Sequence, residues 1–487
     1  LLIYGVNLPP VFIYDAQVPR VYLEAVAGQI DQPPVDAGLS LDGVKPISTP
    51  ARVGYRLNVD ATLRTLLPAV RELKPVEVLL MIDEVQPAVS DAEAARTQLE
   101  ALTAQPLTLA LESPAEGDPG PWVVPPEDIL TLLGVYTADD GTLEVRLHEE
   151  AVQSYLLSIA PSLAVEPVDA RFHFNENTRQ LEAIQSSQNG RALDIEASAA
   201  RIVQELLAGD REVALLLKPV EPRYPDTARA EEIGITAKVA EGDSYFIGSP
   251  TGRDHNIRLA AKKFDGIVIP PGETFSFNHY LGEVTAEAGY DESYVTAGEQ
   301  LAIEVGGGIC QVSTTVFRAA FWGGYPIVER WYHNHRIGYY ELYNAGVGMD
   351  ATVYSPNVDF RFTNDREYPL LIETEIVEAS HRLIFRFYST DDGRRVEKEG
   401  PTTSAPTKPG PPIYQLDESL ATNTVTQWQS AVDGLTATVV RKVYDAAGNL
   451  TINDTIVSRY VPRRAMYHYG PGYVPPTQEE PTPTPEP

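Results

Sequence analysis

Glu304-Val305-Gly306-Gly307-Gly308-Ile309-Cys310-Gln311-Val312-Ser313-Thr314-Thr315 contains the only cysteine among the 487 residues of the chain. Three glycines lead in and a helical pattern leads out. Val312, Val316, Ala319 and Ala320 recur at i, i+4, i+7 and i+8, the spacing of one buried helix face, and Gly323-Gly324 supplies the stop. Cys310 is thus expected in the first helical turn. Free N–H groups there favour an anion, and a cysteine so placed tends to hold a reactive thiolate. Cys310, Ser313, Thr314 and Phe317 fall on the opposite face. A lone cysteine is more often a small buried hydrophobe than a nucleophile, so the glycine run, the helix start and nearby histidines carry the catalytic reading.

Outward from this stretch, composition narrows the class. The length suggests about three domains. The formal charge of −30 and pI near 4.6 exclude non-specific nucleic-acid binding, which needs basic patches, and charge-driven docking on anionic lipid. One cysteine excludes an internal disulfide framework and a Cys-rich zinc site; no metal and no cofactor is expected. No apolar run reaches the ~20 residues that span a bilayer. The chain begins at Leu1 without methionine, which leaves a signal or membrane anchor upstream open.

Upstream, the amino-terminal half reads as two copies of one unit. Pro34-Val35-Asp36-Ala37 recurs as Pro167-Val168-Asp169-Ala170, and Leu57-Asn58-Val59-Asp60-Ala61 as Leu193-Asp194-Ile195-Glu196-Ala197. Each copy runs into a helix, Thr62–Leu73 or Ser198–Leu207. Each then ends on an apolar strand, 78–82 or 213–217, and nearly constant separations mark a duplication. Neither copy carries an acid–base pair, a metal cluster or a phosphate loop. Between them, Asp91–Leu102 reads as a helix, Leu107–Leu111 and Trp122–Val124 as strands, and Pro126 starts a short helix.

Around the cysteine, Asn256–Phe264 reads as a helix. Strands are expected at 267–269, 274–278, 327–331, 351–354, 359–362, 370–374 and 383–387. Arg394–Pro412 reads as an extended linker, followed by three strands over 424–429, 435–444 and 451–460, and a Pro/Thr/Glu tail over Pro475–Pro487. The fold class is multi-domain α+β: two α+β repeats, a β-rich catalytic-type domain and a small all-β module. The expected boundaries are 1–111 (first repeat with the intervening segment), 112–222 (second repeat), 241–393 (cysteine domain), 394–412 (linker), 413–470 (β module) and 471–487 (tail).

Residues 244–375 resemble the VanW family. The resemblance runs through Asn256-Ile257, Pro271-Gly272-Glu273-x-Phe275-Ser276-Phe277-Asn278, Gly289-Tyr290 and Gly306–Thr315. It continues through Glu329-Arg330 with His333 close behind, Asp350-Ala351-Thr352-Val353 and Phe362-x-Asn364-Asp365. The repeats resemble the peptidoglycan-binding repeats that often precede this domain; a spacer holding the domain at a distance is the plainer reading of them. The resemblance implies a bacterial cell-envelope protein, extracytoplasmic, on the cell surface or membrane-anchored facing the wall. Its partners are peptidoglycan stem peptides and glycan strands. It implies either an L,D-transpeptidase with Cys310 as nucleophile, or a non-catalytic wall- or precursor-binding accessory protein of the kind linked to glycopeptide resistance.

On the enzyme reading, His333 is the expected base, with His335 as rival, and Asp350 the residue that orients it. Backbone N–H groups of Cys310 and Gln311 would stabilise the oxyanion. Gly307, Gly308, Gln311, Ser313, Thr314, Arg330 and Asn278 are the substrate-binding candidates. Arg330 would either grip a stem carboxylate or pair with an acid of the protein. Asn278 enters on the family match alone.

Overall fold

A computed structural model describes residues 13, 15, 17–72, 75, 77–297, 300–343 and 345–476. The apolar start Leu1–Tyr4 and the tail from 477 onward lie outside the described residues. The fold is mixed helix and strand in many small sheets, the multi-domain α+β class expected from the sequence. Two compact units divide the chain: 1–166 with 189–220, and 167–188 with 221–487. Among the described residues no helix is long and apolar enough to cross a membrane.

The duplication is visible in the backbone. Single bridges Gln32↔Tyr55 and Val35↔Arg52 recur as Val165↔Arg191 and Val168↔Gln188. Asn58 caps its helix by accepting from Ala61 N–H, and Asp194 caps the second from Ala197 N–H, as short polar side chains do at a helix start. Thr62 Oγ1 receives Met81 N–H, and Ser198 Oγ receives Leu216 N–H. A hydroxyl in the first helical turn thus anchors the returning chain in both copies. The expected strand at 78–82 starts only at Ile82 and runs to Val85. Each repeat also opens with a helix absent from the sequence reading, Gln17–Ile30 and Glu149–Leu163. In the first unit Leu156, Leu163, Ile202 and Leu206 share one core with Leu107 and Val213. There Glu212–Leu215 pairs in parallel with Leu107–Leu111.

The second unit is built on a four-stranded antiparallel sheet, in the order Ala237–Tyr245, Arg382–Ser389, Leu370–Val377, Ile267–Ile269. Leu370-Leu371-Ile372 and Ile267-Val268-Ile269 are unbroken apolar runs, and unbroken runs mark strands buried on both faces. Leu370, Ile372, Ile267, Ile269, Phe385 and Phe387 face the core that contains the helices Thr251–Phe264 and Ile309–Trp322. Val268, Leu371 and Tyr388 face the other way, onto Phe172, Phe174, Tyr224 and Ile235. The hairpin Arg171–Asn175/Gln180–Gln185, which follows the opening helix of the second repeat, therefore covers the back of this sheet.

Three local expectations differ. Strand 274–278 stops at Ser276, whose hydroxyl accepts from His279 N–H and starts a short helix, Phe277–Leu281. Residues 351–354 form only single bridges, Trp331↔Thr352 and Tyr354↔Val358. Arg395–Thr403, expected as linker, is a strand paired with Leu435–Tyr444. Its Pro and Thr content suggested extended chain, and extended chain beside an open strand edge pairs with it. The β module also has two strands more than expected, Ile413–Leu416 and Met466–Tyr469.

Candidate functional site

The cysteine helix Ile309–Trp322 is buried on every side: from Ile309 through Phe321, Cys310 alone keeps appreciable solvent access. This corrects the two-faced reading of the helix. Ser313, Thr314 and Phe317, assigned to an open face, are fully buried. Apolar and small polar residues all round mark a central helix. Gly242 on the neighbouring strand lets it sit so close. A Cβ there would lie 2.2 Å from Ala319 N and 2.7 Å from Thr315 O. At the helix start Gly308 has φ +114°, a conformation that favours glycine.

The thiol lies against the chain that follows Asp350. Cys310 Sγ is 3.4 Å from Thr352 Oγ1 and 3.6 Å from Val353 O. The thiol form donates to the Val353 carbonyl; the thiolate accepts from the Thr352 hydroxyl. His333 stands on the other side. Its Nδ1 is 2.6 Å from Asp350 Oδ2, and its backbone N–H donates to the same oxygen at 3.0 Å. Its Nε2 is buried without a well-aligned hydrogen-bond partner, and the Cys310 side chain is the group it acts on. The Cys310–His333 interaction is thus a close charge contact rather than an aligned hydrogen bond, the usual looseness of such pairs without substrate.

Electrostatics follow from this packing. Burial pushes the Cys310 thiol up, but His333, then the Thr352 side chain and the Val353 backbone, outweigh it and bring the pKa down to about 7. Burial pushes His333 down, but Asp350 and the sulfur outweigh that and raise it to about 9. Asp350 is buried too, yet His333 and Arg330 hold its carboxyl well below the usual carboxylate range. Near pH 8 the array is therefore thiolate, imidazolium and carboxylate in a row.

Cys310, His333 and Asp350, expected as a triad, are thus brought together. The other candidates are placed differently. Gln311 is fully buried; its Nε2 donates to Ser244 Oγ and Tyr245 O, and its Oε1 accepts from Arg253. Its backbone N–H donates to Gly308 O, which removes it from the expected oxyanion hole. Cys310 N–H has no such partner among the described residues. Ser313 donates to Ala351 O at 2.7 Å, and Thr314 exchanges hydrogen bonds with Ala351 N and O. Arg330 donates to the Asp350 carbonyl, the Gly348 carbonyl and Asp350 Oδ1, so it pairs with an acid of the protein and has no face for a stem carboxylate. Gly307 is buried, a Cβ there meeting Tyr294 O at 2.7 Å. Asn278 donates to the Val358 carbonyl, and its Oδ1 is buried and unpartnered. His335 is buried with Nδ1 on Val461 O at 2.7 Å, away from the thiol's partners.

Several site residues were not foreseen. Thr352 and Val353 were read as strand, and Tyr340, whose ring centroid is 4.9 Å from that of His333, was passed over. Trp331 and Tyr354, exposed by 51% and 69%, flank Thr352. Trp331 pairs directly with Thr352, and directly paired residues project to one face, so the indole and the Thr352 hydroxyl share a face; the indole N–H donates to Glu329. A cavity of about 240 Å³ lined by Asp365, Asp392 and Arg394 includes none of the triad. Among the described residues no group of three or more His, Cys, Asp and Glu could hold a metal ion.

Cys310, His333 and Asp350 thus form a row at a glycine-led helix start, with the imidazole between the thiol and the carboxylate. Residues 252–388 match the family described as VanW like protein, and residues 2–78 and 115–214 match the one described as Putative peptidoglycan binding domain. The chain carries a VanW-family domain preceded by this peptidoglycan-binding type of domain.

Over 156 residues the chain is 39% identical to the uncharacterized protein YoaR of Bacillus subtilis (strain 168), covering 32% of this chain and 49% of that protein. Over 114 residues it is 31% identical to the vancomycin B-type resistance protein VanW of Enterococcus faecalis (strain ATCC 700802 / V583), covering 23% of this chain and 41% of that protein. The chain spans about half or less of the length of these relatives.

Proposed function

We propose that this chain is an extracytoplasmic, wall-associated protein whose VanW domain is a cysteine L,D-transpeptidase of peptidoglycan. The observation that carries the reading is the thiol lowered to about 7 beside an imidazole raised to about 9, with a carboxylate behind it. Cys310 thiolate attacks the carbonyl carbon of the third, L-centred residue of a donor stem. The C–N bond to the terminal D-Ala breaks, His333 Nε2–H protonates the departing amine, and a thioester remains. An amine of a neighbouring stem then attacks that carbonyl and gives its proton to His333 Nε2. The thiolate leaves, and a new amide joins the two stems. Water in place of the amine would make the same site a carboxypeptidase. Cys310 N–H, at the positive end of its helix, supports the oxyanion. The repeats, with no reactive constellation of their own, bind or span the wall.

One observation favours binding without turnover. Gln311, Ser313, Thr314 and Arg330 are all engaged within the fold, which leaves Trp331, paired with Thr352, and Tyr354 as the exposed aromatic side chains on the chain that flanks the thiol. Incubation of the full chain with disaccharide-tetrapeptides, followed by mass spectrometry, separates the readings. Cross-linked dimers and released D-Ala that vanish in Cys310→Ala are the expected result. Binding of the tetrapeptide with no dimer, no thioester and no D-Ala release would establish the accessory role.

A further inference from the structure

We propose that the carboxy-terminal sheet completes the thiol site, with Tyr460 as the positioning residue that holds Asp350, and through it His333, in working orientation. This rests on the acyl-transfer reading only for its turnover readout. Residues 395–470 lie outside the segment that matches the VanW family, and by sequence they form a separate module. The structure joins them to the site at three levels.

The first is Asp350 itself. Its Oδ2 is used by the backbone N–H and Nδ1 of His333. Its Oδ1 receives Arg330 Nη2 at 3.3 Å and the Tyr460 hydroxyl. An ionised, buried carboxylate keeps one orientation only when each oxygen is held. Arg330 reaches Oδ1 at the long end of the range, so the Tyr460 hydroxyl is the closer hold. Tyr460 is 6% exposed, and burial together with Asp350 pushes its phenol far up, so it remains a donor throughout the physiological range.

The second level is the segment that carries the histidine. Val461 N–H donates to Asn334 O at 2.8 Å, and Val461 O accepts from His335 Nδ1 at 2.7 Å. Tyr460 thus holds the carboxylate directly, and Val461 holds the two residues that follow His333. His335, the rival base, binds the sheet.

The third level is the anchor. Arg441 is fully buried in the sheet and donates to Phe321 O and Tyr325 O, at the end of the cysteine helix, while pairing with Asp454. A Cβ on Gly348, two residues before Asp350, would lie 3.2 Å from Ala437 Cβ. Val439 belongs to the same core as Val312 and Phe317. The sheet is packed against both ends of the site-bearing elements.

The test is the pH dependence of Cys310 modification in the full chain, wild type against Tyr460→Phe, read with an aromatic disulfide reagent. A hydroxyl acting only as a dipole would weaken the carboxylate's hold on the imidazolium; its loss would then move the thiol's ionisation midpoint down. A hydroxyl that positions Asp350 acts the other way, and its loss lets the carboxylate swing off Nδ1. We expect the midpoint to rise by roughly one pH unit, a tenfold change in the ionisation constant. We also expect cross-linking kcat to fall about tenfold at unchanged KM. A midpoint that is unchanged or lower overturns the proposal. This readout needs no turnover, so it survives failure of the transpeptidase reading. The unmodified protein provides a second measurement. With histidine labelled by ¹⁵N, the His333 Nδ1 proton is expected far downfield and slow to exchange with water, because the sheet covers it. Rapid exchange would equally overturn the proposal, whether or not the variant folds.

Discussion

Replacing His333 by alanine tests the electrostatics of the site most directly. The wild-type thiol sits at about 7 against an ordinary 9.0, although burial alone would push it up. Removing the imidazole removes the leading causes of the decrease and leaves the burial, so the midpoint should return to 9 or above. A shift of about two units corresponds to roughly 3 kcal/mol of differential interaction. At pH 7 the wild-type thiol is about half ionised and the variant about 1% ionised, a ~50-fold loss of thiolate. The rate falls less, because a more basic thiolate is a better nucleophile. With a Brønsted coefficient of ~0.4–0.5, two units return roughly sixfold to tenfold. Reaction with an aromatic disulfide at pH 7 should therefore slow only about fivefold to tenfold, while the pH midpoint moves by about two units. The variant should overtake the wild type in rate at about pH 8 to 8.3. His335→Ala should leave the midpoint in place. A His333→Ala profile that overlays the wild type, or a Cys310 that reacts only after unfolding, would refute the ion pair and with it the catalytic reading.

Three further outcomes are expected. Gly242→Ala should destabilise the second unit by about 1–3 kcal/mol, because its Cβ would meet helix backbone at 2.2 Å; denaturant titration checks this, with Cys310 reactivity as the local probe. Glu373 is raised to about 7 by burial, against Phe174 N–H, His173 and Arg386, with Asp265 adding to the rise. Its folded pKa lies above the unfolded value, so it costs stability as pH rises from about 4.5 to 7, and the cost is constant above that. Glu373→Gln keeps an acceptor for Phe174 and should raise stability by on the order of 2 kcal/mol at pH 8, with little effect near pH 4. Thermal melts at the two pH values decide it, and equal shifts at both would contradict the assignment. Asp194→Ala removes the cap on Ala197 N–H and should cost about 1 kcal/mol in the first unit, with sacculus binding by the folded protein unchanged.

What was legible in the sequence was whatever depends on neighbours along the chain. The glycine-led start of the cysteine helix, the recurrence of Leu57–Ala61 as Leu193–Ala197, and the strand over 435–444 are local signals. Backbone preference and periodicity carry them without knowledge of the rest of the molecule. The segments 267–269 and 370–374 were legible as strands, but not what covers their two faces. Phe172 and Phe174 of the second repeat supply that cover, and no spacing could name them. The site divides in the same way. Cys310, His333 and Asp350 were recognisable by residue type and by resemblance. Whether Ser313, Thr314, Gln311 and Arg330 face a substrate or the core depended on what packs around the cysteine helix. Tyr460 lies 110 residues from the aspartate it binds. Only tertiary packing brings such partners together, because a buried carboxylate takes its donors from whichever segments the core places beside it, regardless of their distance along the chain.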